Sequence, residues 1–110
     1  MTEKQFKKEC LRRVKAIAEE LDRLTDSGKQ QNLREYFEEN TLDIIYSVDR
    51  YGDYRSVAVT ITTGGPHIEV NTDDRAIKLW WGTEAVQWSI SRDTAEAIDE
   101  IFEEYYQAIR

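Results

Sequence analysis

The stretch that decides the fold is residues 42–91, LDIIYSVDRYGDYRSVAVTITTGGPHIEVNTDDRAIKLWWGTEAVQWSIS. Apolar and polar side chains alternate along it, which is typical of strands with one buried face and one face toward water. Turn-forming pairs interrupt the alternation at Gly52-Asp53, Gly64-Gly65, Asp73-Asp74 and Gly82-Thr83. The pattern therefore predicts five strands joined by two-residue turns, over residues 42–49, 55–63, 67–72, 75–81 and 84–91.

Two-residue turns also predict which side chains face each other, because side-chain direction follows the parity of the residue number. They place Ile44 opposite Ile61, Ile61 opposite Ile68, Ile68 opposite Leu79, and Leu79 opposite Val86. A second row on the same face comprises Tyr46, Val59, Val70, Ile77 and Trp88. All four turns place apolar residues against apolar residues, so the sequence predicts a five-stranded antiparallel meander.

In the residues before the strands, apolar side chains recur at helical spacing. A first helix is predicted over residues 3–25, where Thr2 and Gln5 match a capping box. A shorter second helix is predicted to begin with Ser27 and Gln30. Two helices joined so closely indicate a helical hairpin.

Another helical pattern follows the strands. This C-terminal helix is predicted to start at Ser91 or Asp93, with Asp93 and Glu96 as a capping box. Its apolar stripe, like that of the first helix, needs a surface to cover, and one face of the sheet supplies it. The predicted fold class is therefore α+β, with an N-terminal helical hairpin, a five-stranded antiparallel β-meander and a C-terminal helix. The helices pack on one sheet face of a single domain, residues 1–110.

The charge of the chain is negative and unevenly distributed. Its 22 Asp and Glu outnumber 15 Lys and Arg, which gives a formal net charge of −7. Residues 1–25 are net basic, so the excess acid lies in residues 26–110. A negative field opposes direct binding to nucleic acid or anionic membranes and favours a protein partner with a basic surface, although solubility alone is the other explanation. Because no apolar run is long enough to span a membrane and the N-terminus leads into a charged helix, we expect a cytoplasmic protein.

Residue counts argue against catalysis and against a cofactor. His67 is the only histidine, and Cys10, on the buried stripe of the first helix, is the only cysteine. An intramolecular disulfide and metal sites with several His or Cys ligands are therefore excluded. Asp43 is expected on the row of His67 but two strands away, too far to orient the imidazole. Glu69 and Lys78 are expected to form an exposed cross-strand ion pair.

Five carboxylates face away from the apolar stripe of the C-terminal helix. This acidic row consists of Glu96, Asp99, Glu100, Glu103 and Glu104. No basic residue lies between Arg92 and Arg110, so like charges four residues apart repel without compensation. The row is either a recognition surface that imitates a phosphate strand or a solvated face partly neutralised by the first helix.

Two other groups of side chains are candidate partner-binding residues. Trp80 and His67 face each other among small residues on the outer sheet face, which makes a flat platform or a simple cross-strand packing pair. Tyr51 and Tyr54 flank the Gly52-Asp53 turn, where the Tyr, Arg and Asp content is typical of recognition loops. The alternative is that these two tyrosines cap the sheet edge.

Together these patterns favour a non-catalytic acidic protein-binding module. It would act as an antagonist or nucleic-acid mimic that docks on a basic nucleic-acid-binding or nuclease protein. Small anti-restriction, anti-CRISPR and immunity proteins share this general composition, which is an analogy of make-up only. The alternative is a structural or self-association module, acting as a homodimer through the sheet face around Trp80 or through an edge strand.

Overall fold

The computed structural model describes residues 1–110 as three helices and one five-stranded antiparallel sheet. The elements are α1 (Glu3–Asp26), α2 (Gln30–Asn40), β1 (Asp43–Val48), β2 (Tyr54–Thr62), β3 (His67–Asn71), β4 (Ala76–Trp81), β5 (Glu84–Ser89) and α3 (Arg92–Ile109). The strands lie side by side in chain order. The predicted α+β class, with its meander and its flanking helices, is confirmed.

The helices form a layer whose two halves cover different strands. Helix α1 packs on β4 and β5, α3 packs on β2, and α2 contacts α1 and α3. Phe37 of α2 meets Phe102 of α3 edge to face, with ring centroids 5.2 Å apart. Both rings are fully buried, and burial of a side chain this large contributes roughly 1.5–3 kcal/mol. None of the helices has the length and apolar character to cross a membrane.

The capping predictions are correct for α1 and partly correct for α3. In α1 the Thr2 amide donates to Gln5 Oε1 at 2.8 Å, and the Gln5 amide donates to Thr2 Oγ1 at 3.2 Å. In α3 the N-cap is Ser91, whose Oγ accepts from the Thr94 amide at 3.1 Å. The predicted box of Asp93 with Glu96 is wrong, because Ser91 already occupies the capping position.

The predicted helical hairpin is present and α2 begins at Gln30, but the predicted role of Ser27 in starting α2 is wrong. Ser27 ends α1, where its hydroxyl donates to the Leu24 carbonyl at 2.6 Å and accepts from the Lys29 amide at 3.3 Å. Helix α2 begins after Lys29 and has no side-chain cap. A serine hydroxyl three residues after a helical carbonyl satisfies that carbonyl as readily as it caps a following helix.

The registers of the last two strand pairs are confirmed, with Ile68 opposite Leu79 and Leu79 opposite Val86. The β2–β3 pair keeps the predicted register as far as Thr60. A bulge then places Thr62 opposite Ile68, so Ile61 does not pair there as predicted. A bulge adds one residue to a single strand and re-aims the side chains beyond it.

The β1–β2 register is displaced by two residues from the prediction. Ile44 lies opposite Val59, not opposite Ile61. The cause is the connection, because Val48 pairs with Tyr54 and leaves five loop residues between them where a two-residue turn was predicted. The longer loop alone would displace the register by three, and a bulge between Ser47 and Val48 takes one residue back. A displacement of two preserves parity, so Ile44 stays on the inner face and the core is unchanged.

Candidate partner-binding surfaces

The net charge of the molecule lies on two adjacent helices. Helices α2 and α3 hold nine acidic and two basic side chains, a formal charge of −7, which equals that of the whole chain. The rest of the chain holds equal numbers of acidic and basic groups. The acidic excess is therefore a property of the α2–α3 surface.

Part of the acidic row holds α2 against α3. Arg34 of α2 forms an ion pair with Glu104 at 2.5 Å, which raises the pKa of the guanidinium. One turn earlier, the Gln30 side chain donates to Glu100 Oε2 at 3.0 Å. Partners on α2, and not the cations of α1, compensate these carboxylates, so the expected neutralisation by the first helix is wrong for them.

Another member of the acidic row points inward. The Tyr54 hydroxyl donates to Asp99 Oδ1 at 2.6 Å, and both side chains are half-buried. Burial and the neighbouring Asp99 raise the pKa of Tyr54 far above its usual range. These two predicted binding residues therefore bond to each other. Glu96 pairs with Arg92 at 3.0 Å on the exposed side, where Glu103 also lies.

The basic side chains of α1 bind at the opposite end of the sheet. Arg13 lies 5.0 Å from the centroid of Trp81, and Lys15 lies 5.5 Å from the centroid of Trp88. Arg13 also approaches Glu9 at 3.5 Å. Cation–π contacts of this kind stabilise by roughly 0.5–1 kcal/mol at exposed sites. They give Arg13 and Lys15 a structural role in covering β4 and β5.

The predicted Trp80–His67 pair forms on the outer sheet face. The two residues are register partners, with ring centroids 5.4 Å apart. Trp80 remains 42% exposed and borders a shallow hollow of about 230 Å³ between β4 and β5. The pair is thus a cross-strand packing contact that also presents an open aromatic surface.

Two other expectations for this face are wrong. Asp43 pairs with Thr60 and not with Thr62, so it is not on the row of His67. Lys78 lies opposite Glu69 but forms its ion pair with Asp74. The β3–β4 turn brings Asp74 closer to the ammonium than the cross-strand partner.

The β1–β2 loop is organised by Asp49, which no motif in the sequence marks as a binding residue. Asp49 Oδ1 accepts from the amides of Tyr51 at 2.8 Å and Asp53 at 3.0 Å. These two bonds lower the pKa of Asp49, and the bond from the Asp53 amide has the larger effect. The ring of Tyr51 is 68% exposed and has the Arg50 guanidinium 4.7 Å from its centroid. Tyr51 is therefore displayed to solvent, unlike Tyr54.

An apolar groove between β1 and α3 was also missed. It has a volume of about 580 Å³ and is lined by Thr41, Leu42, Asp43, Ile44, Tyr46, Tyr105 and Ile109. Outside it, Ile45 projects from the other face of β1 and is 61% exposed. The sequence does hold a signal, since Ile44-Ile45 breaks the alternation and places an isoleucine on each face of one strand.

A polar link between α1 and α3 was missed because no motif marks it. Asp22 Oδ1 accepts from the Ser91 amide at 3.1 Å and from Thr94 Oγ1 at 2.6 Å. This carboxylate lies at the N-terminus of α3, where negative charge is favoured. The contact fixes the end of α3 to α1.

No three His, Cys, Asp or Glu side chains are arranged to hold a metal ion. Comparison with protein-family models, with curated proteins and with solved structures found no match to this chain.

Proposed function

We propose that this protein is a non-catalytic, acidic protein-binding module that docks its α2–α3 surface on a basic nucleic-acid-binding or nuclease protein. The observation that carries the proposal is the concentration of the whole net charge of −7 on two adjacent helices. A surface of one sign steers a partner of opposite sign and speeds association. The rest of the molecule is electrically balanced and does not oppose that approach.

Antagonism follows from the chemistry of such a partner. A groove that binds nucleic acid gains most of its affinity from basic side chains that neutralise phosphates. Carboxylates on successive helical turns supply negative charge to the same groove. A protein bound there excludes the nucleic acid, so the partner loses its activity while the complex lasts.

The structure identifies which carboxylates test this idea without damage to the fold. Glu96, Glu100 and Glu103 are exposed, and a glutamine at position 100 can still accept from Gln30. Glu104 and Asp99 are left unchanged because they hold Arg34 and Tyr54. The test variant is therefore Glu96→Gln, Glu100→Gln, Glu103→Gln.

A matched control removes three charges from elsewhere. Glu3→Gln, Asp26→Asn, Asp73→Asn changes exposed carboxylates outside α2 and α3 and gives the same net charge. Wild-type, test and control chains are each used to capture proteins from the source cells at low and high salt, with identification by mass spectrometry. Each captured protein is then purified, its Kd is measured for all three chains, and nucleic acid is added as a competitor.

We expect a basic partner that binds the wild-type and control chains with equal affinity. It should bind the test variant at least about tenfold more weakly, a loss of roughly 1.4 kcal/mol in binding free energy. Salt should weaken the binding, and nucleic acid should release the chain from its partner. Equal affinity of the test and control variants for every captured partner would contradict the proposal.

A second candidate function is self-association through the outer sheet face. It is favoured by the 42% exposure of Trp80 beside the hollow on β4 and β5. Trp80→Ala should then shift sedimentation from dimer toward monomer. Unchanged sedimentation would exclude an interface centred on Trp80.

A further inference from the structure

The two outer strands of the sheet differ in what covers them. Strand β5 lies under α1, and the Trp88 side chain has Lys15 above its ring. Strand β1, in contrast, has its one charged residue, Asp43, at its start and a bulge in its pairing with β2 only between Ser47 and Val48, so its centre has no charge, proline or bulge. Three of the chain's exposed large apolar side chains lie on it or beside it. These three are Leu42, Ile45 and Val48. Natural sheets normally protect an edge with charge, proline, a bulge or a covering element, because an open edge pairs with other strands.

We propose that β1 is a dimer interface, at which two copies of this chain pair their β1 strands antiparallel and form one ten-stranded sheet. An open edge offers a partner strand a row of backbone donors and acceptors. The groove beside α3 continues the apolar surface, and Ile109 at its rim is 73% exposed. The interface uses a different surface from the acidic α2–α3 face and therefore goes beyond the proposed function.

The sequence of β1 is self-complementary in one register. A two-fold axis keeps inner residues opposite inner residues only if paired residue numbers add to an even number. With the axis at Ile45, this residue meets its own copy on the outer face, and Asp43 meets Ser47. On the inner face Ile44 meets Tyr46. Every large apolar group at the centre of the strand then has an apolar partner, and no like charges oppose each other.

The neighbouring registers are less favourable. With the axis at Tyr46, Asp43 would face Asp49 of the other copy, and like charges directly opposite are destabilising. With the axis at Ile44, Asp43 would face the exposed Ile45. The register centred on Ile45 is the one that avoids both conflicts.

Charge complementarity on either side of β1 also favours a second copy of this chain as the partner that pairs with the β1 edge. Antiparallel pairing of the two β1 strands places the loop after β1 of one chain, which holds Arg50, beside the start of β1 in the other chain, where α2 ends at Asn40. The preceding residues of α2, Glu38 and Glu39, are exposed carboxylates. Each dimer would therefore bring a guanidinium to an acidic helix end twice, once at each end of the paired strands.

The first experiment tests the register by disulfide formation under mild oxidation. Ile45→Cys should give a covalent dimer, because the two introduced thiols meet at the axis. Ser47→Cys is the matched control on the same face, since its two copies would lie four residues apart, roughly 13 Å, too far for a disulfide. The native Cys10 is buried and does not interfere.

The second experiment measures association by sedimentation equilibrium. Wild type should be a dimer, and Ile45→Lys should be a folded monomer, with folding checked by circular dichroism. Arg50→Glu should weaken the dimer about tenfold, while Arg55→Glu, with the same charge change on β2, should weaken it less. A wild-type monomer up to about 1 mM would overturn the proposal. Equal crosslinking of the Ile45→Cys and Ser47→Cys variants, or a dimer that survives Ile45→Lys and dissociates with Trp80→Ala, would overturn it as well.

Discussion

The two ends of the sheet are covered in opposite ways. At the β5 end, Trp81 packs edge to face on Phe6 at 5.2 Å and lies under Arg13. At the β1 end, Ile45 is 61% exposed and has no helix across it. The two side chains lie on opposite faces, and on the inner face of β1 the neighbouring Tyr46 does pack on Tyr106 of α3 at 5.1 Å. The difference shows that the helices cover only the inner face, so a large apolar side chain on the outer face of the edge strand stays exposed.

The chemistry of the two ends also differs. The β5 end depends on aromatic, aliphatic and cation–π contacts. At the β1 end the rings of Tyr46, Tyr54 and Tyr106 also pack together. Their hydroxyls add hydrogen bonds between α3 and the first hairpin, from Tyr54 to Asp99 and from Tyr106 to the Gly52 carbonyl at 2.6 Å. We therefore expect the stability of the β1 end to vary with pH more than that of the β5 end.

The largest effect is expected at the β5 end, from Trp81→Ala. The substitution removes a half-buried indole between Phe6 and Arg13 and should lower the free energy of unfolding by about 3 kcal/mol. Urea denaturation measures the loss. The loss should be the same at pH 6 and pH 9, since no titrating group is removed. A loss below about 1 kcal/mol would mean that α1 does not depend on this contact.

A smaller effect is expected at the β1 end, from Tyr54→Phe. The change removes the hydroxyl but keeps the ring, so it should cost about 1–2 kcal/mol at neutral pH by leaving Asp99 without its donor. Tyr51→Phe is the matched control, because its hydroxyl is exposed and bonds only to Arg50. A control variant as unstable as Tyr54→Phe would contradict the special role of Tyr54.

The stability of wild type and of Tyr54→Phe should also depend differently on pH. The pKa of Tyr54 is raised in the folded state by burial and by Asp99, so the native state holds this proton more tightly than the unfolded chain does. The contribution is complete below the unfolded pKa of about 10 and is lost as the pH rises above it. Wild type should therefore lose stability above pH 10 more steeply than Tyr54→Phe, by up to about 1.4 kcal/mol per pH unit. Parallel curves for the two proteins would refute the assignment.

The register of two neighbouring strands was predictable where the connection between them is the two-residue turn that the sequence indicates. Gly82-Thr83 is a two-residue turn between Trp81 and Glu84, and the register of β4 with β5 followed correctly. The β1–β2 loop failed because Asp49 accepts two amides and lengthens the turn. An aspartate in a turn has several amides within reach, and local sequence does not determine which it will bind.

The candidate surfaces were predictable only in their composition. The sequence shows that Glu100 and Glu104 lie on one face of α3, because helical spacing is periodic. It does not show that Gln30 and Arg34 of α2 meet them, since that depends on how two helices pack. The pairing of Tyr54 with Asp99 is a long-range contact of the same kind.

The smallest effect is expected from Asp49→Ala, which should loosen the β1 end of the sheet and leave the β5 end unchanged. Asp49→Ala removes the acceptor of the Asp53 and Tyr51 amides, so these amides should exchange faster with solvent, while those of β5 stay protected. Asp73→Ala in the β3–β4 turn is the matched control. NMR-detected hydrogen exchange distinguishes local from global loosening, and faster exchange in β5 would show that the two ends open together.

Because the Asp49 pKa is lowered in the folded state, its contribution to stability is present above about pH 4 and is lost as the pH falls through the folded value. Wild-type protection of the Asp53 amide should therefore decline below about pH 4, whereas Asp49→Ala, already without the carboxylate, should show no such titration.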